Sequence, residues 1–328
     1  MSAGTASAPA VRTEELTKFY GTHEAVTALD LTVPAGITFG FLGPNGAGKS
    51  TTIGMLTTVL RPTYGRAEVA GYDVARAPDR VRRRIGLVFQ ESTLDADLTA
   101  EENLRFQADL YGVPRDRARR AVGELLELVD LAPRKDTPVR TFSGGMRRRL
   151  EIARGLLHTP RVLFLDEPTT GLDPQTRTAI WEHLHRLRRE QETTLFLTTH
   201  QLEEAENCDR IAVIDHGELV VQGSPAELKA VIGADLVTLR TGDDRAAAQA
   251  VGDRFGLDAT TGPHGVELRT ADGAAFVPRL CAELAVPVHS VTVTPPTLDD
   301  VFLHYTGRTI REAEGGGPML LPGPVMRR

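Results

Sequence analysis

The chain is poor in cysteine, which limits both its redox and its metal chemistry. Only Cys208 and Cys281 occur among 328 residues, and no C-x-x-C pair exists that could begin a zinc site. We expect both residues to be buried thiols that pack as small apolar side chains and do not form a disulfide. Structural zinc and a disulfide framework are therefore excluded as organising features.

Long apolar runs and excess positive charge are also lacking. No stretch approaches the roughly 18 apolar residues of a membrane span, and the N-terminal residues lack the basic flank and apolar run of a secretory signal. The net charge is −6 and aromatic residues make up 5% of the chain, so no nucleic-acid partner is expected. The arginine clusters at 82–84 and 147–149 are interpreted as solvated helix faces or ion-pair partners.

A glycine-rich run follows a short apolar stretch. Residues 43–51 read GPNGAGKST after the apolar residues 37–42, which matches the phosphate-loop template G-x-x-x-x-G-K-[ST] in its strand–loop–helix setting. Glycines let backbone N–H groups turn towards phosphate oxygens, and a helix starting near Lys49 points its positive end at the same anion. Lys49 is expected to reach the β- and γ-phosphates, and Ser50 to bind Mg²⁺. The predicted nucleotide-binding residues of the loop are Gly43, Pro44, Asn45, Gly46, Ala47, Gly48, Lys49, Ser50, Thr51 and Thr52.

Two adjacent carboxylates end a later apolar run. Residues 162–167 read VLFLDE, and ligands bind at such strand ends in an open parallel sheet. Asp166 is expected to hold Mg²⁺ through water, because Mg²⁺ keeps its waters and needs few carboxylates. Glu167 is expected to polarise an attacking water as a general base.

A second candidate anion site precedes a predicted helix. Ser143, Gly144 and Gly145 lie in the segment FSGGM. Ser143 is a suitable N-cap, and the two glycines allow an anion to approach backbone N–H groups closely. One nucleotide needs only one such cradle, so the second one calls for another nucleotide or another role.

Together, in this order, the motifs resemble the ATP-binding subunit of an ABC transporter over residues 11–232. GPNGAGKST is similar to the Walker A motif of that family, LFLDEP to its Walker B motif, and FSGGM to its LSGGQ signature, from which Phe142 and Met146 depart. The resemblance implies that Tyr20 stacks on adenine and that Gln90 links Mg²⁺ to a membrane partner. It also places Asp173 in the D-loop and His200 at the γ-phosphate.

From this resemblance we expect ATP and Mg²⁺ as cofactors. The residues that it implies as catalytic are Glu167, His200 and Gln90. Those that it implies at the metal are Ser50, Gln90 and Asp166. The signature residues Ser143, Gly144 and Gly145 are implied to serve the ATP of a partner chain.

The implied fold class is α/β, a P-loop NTPase cassette with a mostly parallel core sheet, an antiparallel β part and a helical subdomain at about residues 99–155. Beyond this cassette, alternating strand and helix patterns predict a small accessory α/β domain over residues 235–312. The ends, residues 1–10 and 313–328, are expected to be disordered.

The resemblance further implies that two such chains form a homodimer on binding ATP. Two ATP molecules lie head to tail between them, so that the signature of one chain faces the phosphate loop of the other. A separate transmembrane permease is implied to dock near residues 90–104. The chain is then a peripheral subunit on the cytoplasmic side of a bacterial membrane.

The segment PPTLDDVFLHYTGR, residues 295–308, resembles the daunorubicin-resistance type of ATP-binding subunit. We therefore expect an ATPase that energises efflux of a drug or antibiotic-like compound. The alternatives are a soluble ABC-type ATPase acting on nucleic acid or the ribosome, and an importer ATPase subunit. Long coiled-coil insertions or a second cassette would favour the soluble class, and the sequence shows neither.

Overall fold

The structure, a computed structural model, describes residues 8–310. These residues form two compact units that divide between Ser224 and Pro225. The stretches predicted to be disordered lie outside the described residues except for residues 8–10. Of these, Ala10 is buried and donates its N–H to the Val33 carbonyl at 2.8 Å, so it belongs to the folded chain. Among the described residues, no helix is both long and apolar enough to cross a membrane.

Two sheets organise the first unit. Its strands are β1 (Val11–Tyr20), β2 (His23–Val33), β3 (Thr38–Leu42), β4 (Tyr64–Val69), β5 (Tyr72–Asp73), β6 (Ile85–Val88), β7 (Val162–Asp166), β8 (Thr194–Thr199), β9 (Arg210–Asp215) and β10 (Glu218–Gly223). An antiparallel sheet has the order β2-β1-β4-β5. The core sheet has the order β10-β9-β3-β8-β7-β6, and only its β10–β9 pair is antiparallel. The predicted mostly parallel core sheet with an antiparallel β part is confirmed.

Helices connect these strands. They are α1 (Lys49–Leu56), α2 (Pro78–Arg82), α3 (Ala100–Leu110), α4 (Arg115–Leu128), α5 (Gly144–Leu156), α6 (Pro174–Gln191) and α7 (Leu202–Ala205). The helical part between β6 and β7 comprises α3, α4 and α5. It starts at a capping box, in which the Thr99 hydroxyl accepts the Glu102 N–H and the Glu102 carboxylate accepts the Thr99 N–H. This exchange satisfies donors that a helix start otherwise leaves without partners.

Aromatic side chains fill the centre of the core sheet. Phe196 of β8 lies 5.3 Å from Phe39 and 5.9 Å from Phe41, both in β3, measured between ring centroids. It lies 5.2 Å from Phe164 of β7, and all four side chains are fully buried. Strands covered on both faces read as continuous apolar runs, which explains why the motif-bearing strands are so apolar.

The second unit has the split β-α-β-β-α-β arrangement. Its elements are α8 (Pro225–Ile232), β11 (Asp235–Thr241), α9 (Asp244–Phe255), β12 (Ala259–Gly262), β13 (Gly265–Thr270), α10 (Gly273–Glu283), β14 (Val288–Thr294) and α11 (Leu298–Thr306). The antiparallel sheet has the order β12-β13-β11-β14, which is the ferredoxin-like strand order. The unit begins before the expected residue 235, because α8 packs against α11.

The two cysteines differ in burial. Cys208 is buried and Cys281 is exposed, and both are free thiols. The expectation of two buried thiols is therefore wrong for Cys281. It follows Leu280, the fully buried residue of α10, and one residue along a helix turns the side chain by about 100° away from the core.

Two glycine substitutions test the packing of α5 on β6. An added Cβ at Gly86 of β6 would lie 2.2 Å from the Gly155 carbonyl oxygen of α5, so Gly86→Ala should destabilise the first unit by about 1–3 kcal/mol. An added Cβ at the exposed Gly123 in α4 meets nothing within 4 Å, and Gly123→Ala should raise the stability by up to about 1 kcal/mol. Thermal unfolding midpoints measure both. A Gly86→Ala midpoint equal to that of the parent would contradict the packing described.

Candidate active site

The predicted motifs meet because their strands are parallel and in register. Leu42 at the end of β3 pairs with Thr199 of β8, and Asp166 at the end of β7 pairs with Thr198. On the far side of β7, Val88 of β6 pairs with Leu165. Parallel strands end at the same edge of a sheet, so the segments after β3, β6, β7 and β8 are brought together there.

The phosphate loop is shaped by glycines that have no room for a side chain. Gly48, immediately before α1, has φ +103°, and an added Cβ would lie 2.5 Å from the Ala25 carbonyl oxygen. At Gly43 the corresponding atom would lie 2.3 Å from the Ile214 carbonyl oxygen. No acidic residue stands in the first turn of α1 and no side chain caps it. The positive end of this helix is therefore available to an anion.

Lys49 lies inside the loop that it follows. Its ammonium donates to the Gly43 carbonyl at 2.7 Å and to the Pro44 carbonyl at 3.0 Å, and only 5% of the residue is exposed. The same ammonium lies 3.8 Å from the Glu167 carboxylate. The cation thus joins the loop after β3 to the turn after β7.

Glu167 is the meeting point of the site. Its Oε1 lies 3.1 Å from His200 Nδ1, after β8, as well as near Lys49. Its Oε2 accepts from Gln90 Nε2 at 3.3 Å, after β6, and from the Thr170 hydroxyl at 3.1 Å. The structure therefore brings two of the residues predicted as catalytic, His200 and Gln90, into direct contact with the third, Glu167.

The backbone and the charge of Glu167 are both constrained. Its φ is +45°, an unfavourable conformation for a residue with a side chain, and its N–H donates to the Thr198 hydroxyl at 3.1 Å. Burial desolvates the carboxylate and by itself raises the pKa. The hydrogen bond and charge of His200, the charge of Lys49 and the Thr170 hydroxyl outweigh this and lower the pKa of Glu167 below its usual value. The group is a carboxylate at neutral pH.

An oxygen-rich spot adjoins Glu167. The Ser50 hydroxyl lies 3.4 Å from Asp166 Oδ1, and the Thr198 hydroxyl donates to the same carboxylate oxygen. A hydroxyl and one carboxylate, both oxygen donors, fit a Mg²⁺ ion that keeps most of its waters. Gln90, also predicted at the metal, contacts Glu167 in this structure, so its place in a metal shell stays a prediction.

The signature segment caps α5. The Ser143 hydroxyl accepts the Met146 N–H at 3.2 Å, as predicted for an N-cap. An added Cβ at Gly145 would lie 2.3 Å from Thr176 Cγ2, whereas at Gly144 the nearest atom, in Leu172, is 3.6 Å away. Packing within the chain thus explains the glycine at 145 but not the one at 144.

Asp173 and Tyr20 lie at the borders of the site. Asp173 caps α6 by accepting the Thr176 N–H at 3.0 Å and the Thr176 hydroxyl at 2.6 Å, and these bonds lower its pKa. Thr176 therefore links the D-loop to Gly145.

Tyr20 ends β1, and its side chain is exposed. The Lys18 ammonium lies 5.4 Å from the centroid of its ring. Because 43% of the residue is exposed, the ring is accessible to a stacking partner.

Arg148, which none of the sequence motifs singles out, also belongs to this site. It is 6% exposed and donates to the carbonyls of Asp166, Glu167 and Pro168. Of the two interpretations given for its cluster, the ion pair is confirmed for Arg148, which pairs with Glu151 at 3.2 Å inside the protein, and the solvated helix face is wrong for it. One signal was available, because Arg148 precedes the buried Ile152 by one helical turn and shares its apolar stripe.

Known proteins are similar to this chain over most of its length. The model of the family described as ABC transporter matches residues 26–170. The daunorubicin/doxorubicin resistance ATP-binding protein DrrA of Streptomyces peucetius is 44% identical, over 91% of this chain and 92% of that protein. The Nod factor export ATP-binding protein I of Ralstonia nicotianae is 40% identical, over 94% and 97%. The linearmycin resistance ATP-binding protein LnrL of Bacillus subtilis is 37% identical, over 92% and 100%.

Solved structures resemble this chain over about two thirds to three quarters of its length. CbiO1 from Clostridium perfringens, part of the ABC transporter complex cbiONQ, has a TM-score of 0.64 at 27% identity and covers 76% of this chain and 97% of its own. The cassette MJ0796, in a dimeric post-hydrolysis state bound to ADP and Pi, has a TM-score of 0.60 at 27% identity, over 65% and 98%. With the relatives above, these matches show the family. The chain belongs to the ABC transporter family, as an ATP-binding and ATP-hydrolysing subunit.

Proposed function

We propose that this subunit energises the export of a drug or antibiotic-like compound through a separate transmembrane permease. The observation that carries the proposal is the 44% identity to a daunorubicin/doxorubicin resistance protein over 91% of the chain, thus across both units. The names of the linearmycin resistance and Nod factor export relatives also describe resistance or export. No comparable observation favours the alternatives of a nucleic-acid or ribosomal ATPase or an importer subunit.

In this proposal the phosphate loop binds the β- and γ-phosphates of ATP. The N–H groups of residues 43–52 and the start of α1 face the phosphate oxygens. Lys49 exchanges its contacts with the Gly43 and Pro44 carbonyls for contacts with phosphate. The exposed ring of Tyr20 stacks on adenine.

Hydrolysis is assigned to the groups around Glu167. The Glu167 carboxylate takes a proton from the attacking water. His200, at the end of β8, orients this carboxylate. Gln90 donates a hydrogen bond to the other oxygen of the same carboxylate. This contact couples the carboxylate to the position of the segment that follows β6. Mg²⁺, held by Ser50, Asp166 and Gln90, would neutralise charge on the phosphates as a Lewis acid.

The second anion cradle is assigned to a partner chain. Two copies close head to tail, so that the start of α5 in one chain, at Ser143 and Gly144, meets the γ-phosphate held by the other. The packing at Gly144 agrees with this assignment, since an added Cβ would lie 3.6 Å from Leu172, at ordinary contact distance, and packing within the chain does not require a glycine there. The permease docks at residues 90–104, and the subunit is peripheral on the cytoplasmic side of the membrane.

Lys49→Ala should abolish ATP binding, because the variant lacks the positive charge that meets the phosphates. Titration of the purified chain with a fluorescent ATP analogue measures the affinity. Lys135→Ala is the matched control, since that exposed lysine lies in the helical part and should leave affinity unchanged. Normal affinity in Lys49→Ala would reject the assignment of this loop as the phosphate site.

Glu167→Gln should keep ATP binding but lower turnover by about 10²-fold or more, as expected for the loss of a general base. It should also accumulate as an ATP-bound dimer, because closure persists while the γ-phosphate remains. Phosphate release and sedimentation velocity with Mg-ATP measure the two effects. Glu182→Gln makes the same charge change at an exposed site of α6 and should behave as the parent. A Glu167→Gln chain that stays monomeric with ATP counts against the sandwich.

Gly144 and Gly145 should separate dimer closure from folding. Gly145→Ala places a methyl group against Thr176 and should destabilise the chain by about 1–3 kcal/mol. Gly144→Ala should leave the unfolding midpoint nearly unchanged but weaken ATP-driven dimerisation in a Glu167→Gln background. Calorimetry and sedimentation velocity test the pair. Equal dimerisation with and without the Gly144 substitution would contradict the role given to this glycine.

A further inference from the structure

One guanidinium in the first unit uses all of its hydrogen-bonding capacity. Arg148 Nε donates to the Pro168 carbonyl at 2.7 Å, and Nη2 donates to the carbonyls of Asp166 at 2.9 Å and Glu167 at 3.2 Å. Nη1 donates to the Phe89 carbonyl and to Glu151 Oε2. An arginine has five N–H donors in a fixed planar fork, and each of them is used here.

These partners come from two segments that are remote in sequence. Phe89 directly precedes Gln90 after β6, while residues 166–168 form the turn that carries the Glu167 carboxylate after β7. The Gln90 side chain crosses the same gap to reach Glu167 at 3.3 Å. Arg148 therefore holds the backbone on both sides of the contact between Gln90 and Glu167.

Glu151 extends the connection to Thr93. Its Oε2 accepts from Arg148 and its Oε1 accepts the Thr93 N–H at 2.9 Å. One helical turn further along α5, Arg154 donates to the Thr93 carbonyl at 2.7 Å. One face of α5 thus fixes residues 89 and 93, on either side of Gln90.

Electrostatics hold the ion pair of Arg148 and Glu151 in one geometry. Arg148 and Glu151 are 6% and 3% exposed. Desolvation lowers the pKa of Arg148, and the charge and hydrogen bond of Glu151 act in the opposite direction. A buried charge is tolerated only while its partners stay in place. If the segment after β6 moves, the turn after β7 must therefore move with it, or several hydrogen bonds of Arg148 break at once.

The neighbouring arginines of the same cluster act elsewhere. Arg147 donates to the Phe142 carbonyl at 2.6 Å, next to the signature. Arg149 donates to the Val129 carbonyl at 3.0 Å, at the end of α4. The connection between the segments after β6 and β7 thus belongs to Arg148 and not to the basic cluster as a whole.

We propose that Arg148 is a positioning residue that sets the separation of Gln90 and Glu167. Through its pair with Glu151, a displacement of residues 90–104 changes the position of the catalytic carboxylate. The inference rests on the proposed function, in which residues 90–104 receive the permease and Glu167 activates water. Because α5 also begins at the signature, the same helix relates the docking segment to the site offered to a partner chain.

The test compares steady-state ATP hydrolysis of the full chain with Arg148→Met, Arg148→Lys and Glu151→Gln variants. We expect kcat to fall by about tenfold to a hundredfold, as for a misplaced catalytic group, with KM for ATP and the stoichiometry of nucleotide binding unchanged. Lysine should not rescue, since one ammonium cannot reproduce the planar fork. The near-isosteric Glu151→Gln keeps the test decisive if Arg148 variants fold poorly. Arg149→Met, the control, should keep kcat within about twofold.

A double-mutant cycle with Gln90→Ala separates positioning from general damage. If Arg148 acts through the contact of Gln90 with Glu167, then Arg148→Met should cause little further loss of kcat in a Gln90→Ala chain, because coupled residues are not additive. A merely structural role would lower the active fraction by the same factor in both backgrounds. Additive losses, or parental kcat in both Arg148→Met and Glu151→Gln, overturn the inference. A parent chain without ATPase activity would instead reject the proposed function.

Discussion

The in-register parallel pairing of β7, β8 and β3 is the constraint on which the site depends. It ends the three strands at one edge and so places Glu167, His200 and the phosphate loop together, although they are far apart in sequence. The aromatic packing around Phe196 lies on these same three strands. A shift of one residue would exchange the two faces of a strand. The apolar core thereby specifies the register that the chemistry requires.

Charge is arranged around that edge in a complementary way. The two elements proposed to bind anions are helix starts, where backbone N–H groups and the dipole favour negative charge. The carboxylate of Glu167 is held by a cation, an imidazole, an amide and a hydroxyl. The two helix starts differ in their steric setting. An added Cβ at Gly43 or Gly48 would lie within 2.5 Å of a backbone oxygen of the chain itself, whereas at Gly144 it would be at ordinary contact distance, 3.6 Å from Leu172. This difference agrees with one internal and one external phosphate partner.

Sequence analysis could predict the residues that are attached to strand ends. Lys49, Glu167 and His200 each follow a strongly apolar strand, so a parallel sheet and a motif together place them. The spacing of Arg148 from Ile152 indicates burial, but its contacts in the site were missed because they are with backbone carbonyls of segments remote in sequence. The packing of α8 on α11 joins residues far apart in sequence, a contact that local patterns along the chain do not record. Cys281 was misjudged because residue type alone does not tell which side of a helix faces the core.

In the proposed mechanism each ATP is hydrolysed between two copies of this chain, one supplying the phosphate loop and Glu167 and the other supplying Ser143 and Gly144. The most direct measurement is the specific ATPase activity of the unmodified chain over a wide dilution series, with sedimentation recorded at the same concentrations in Mg-ATP. The account predicts that activity per chain rises with concentration in step with the dimer fraction. Constant activity per chain while the protein sediments as a monomer would contradict it.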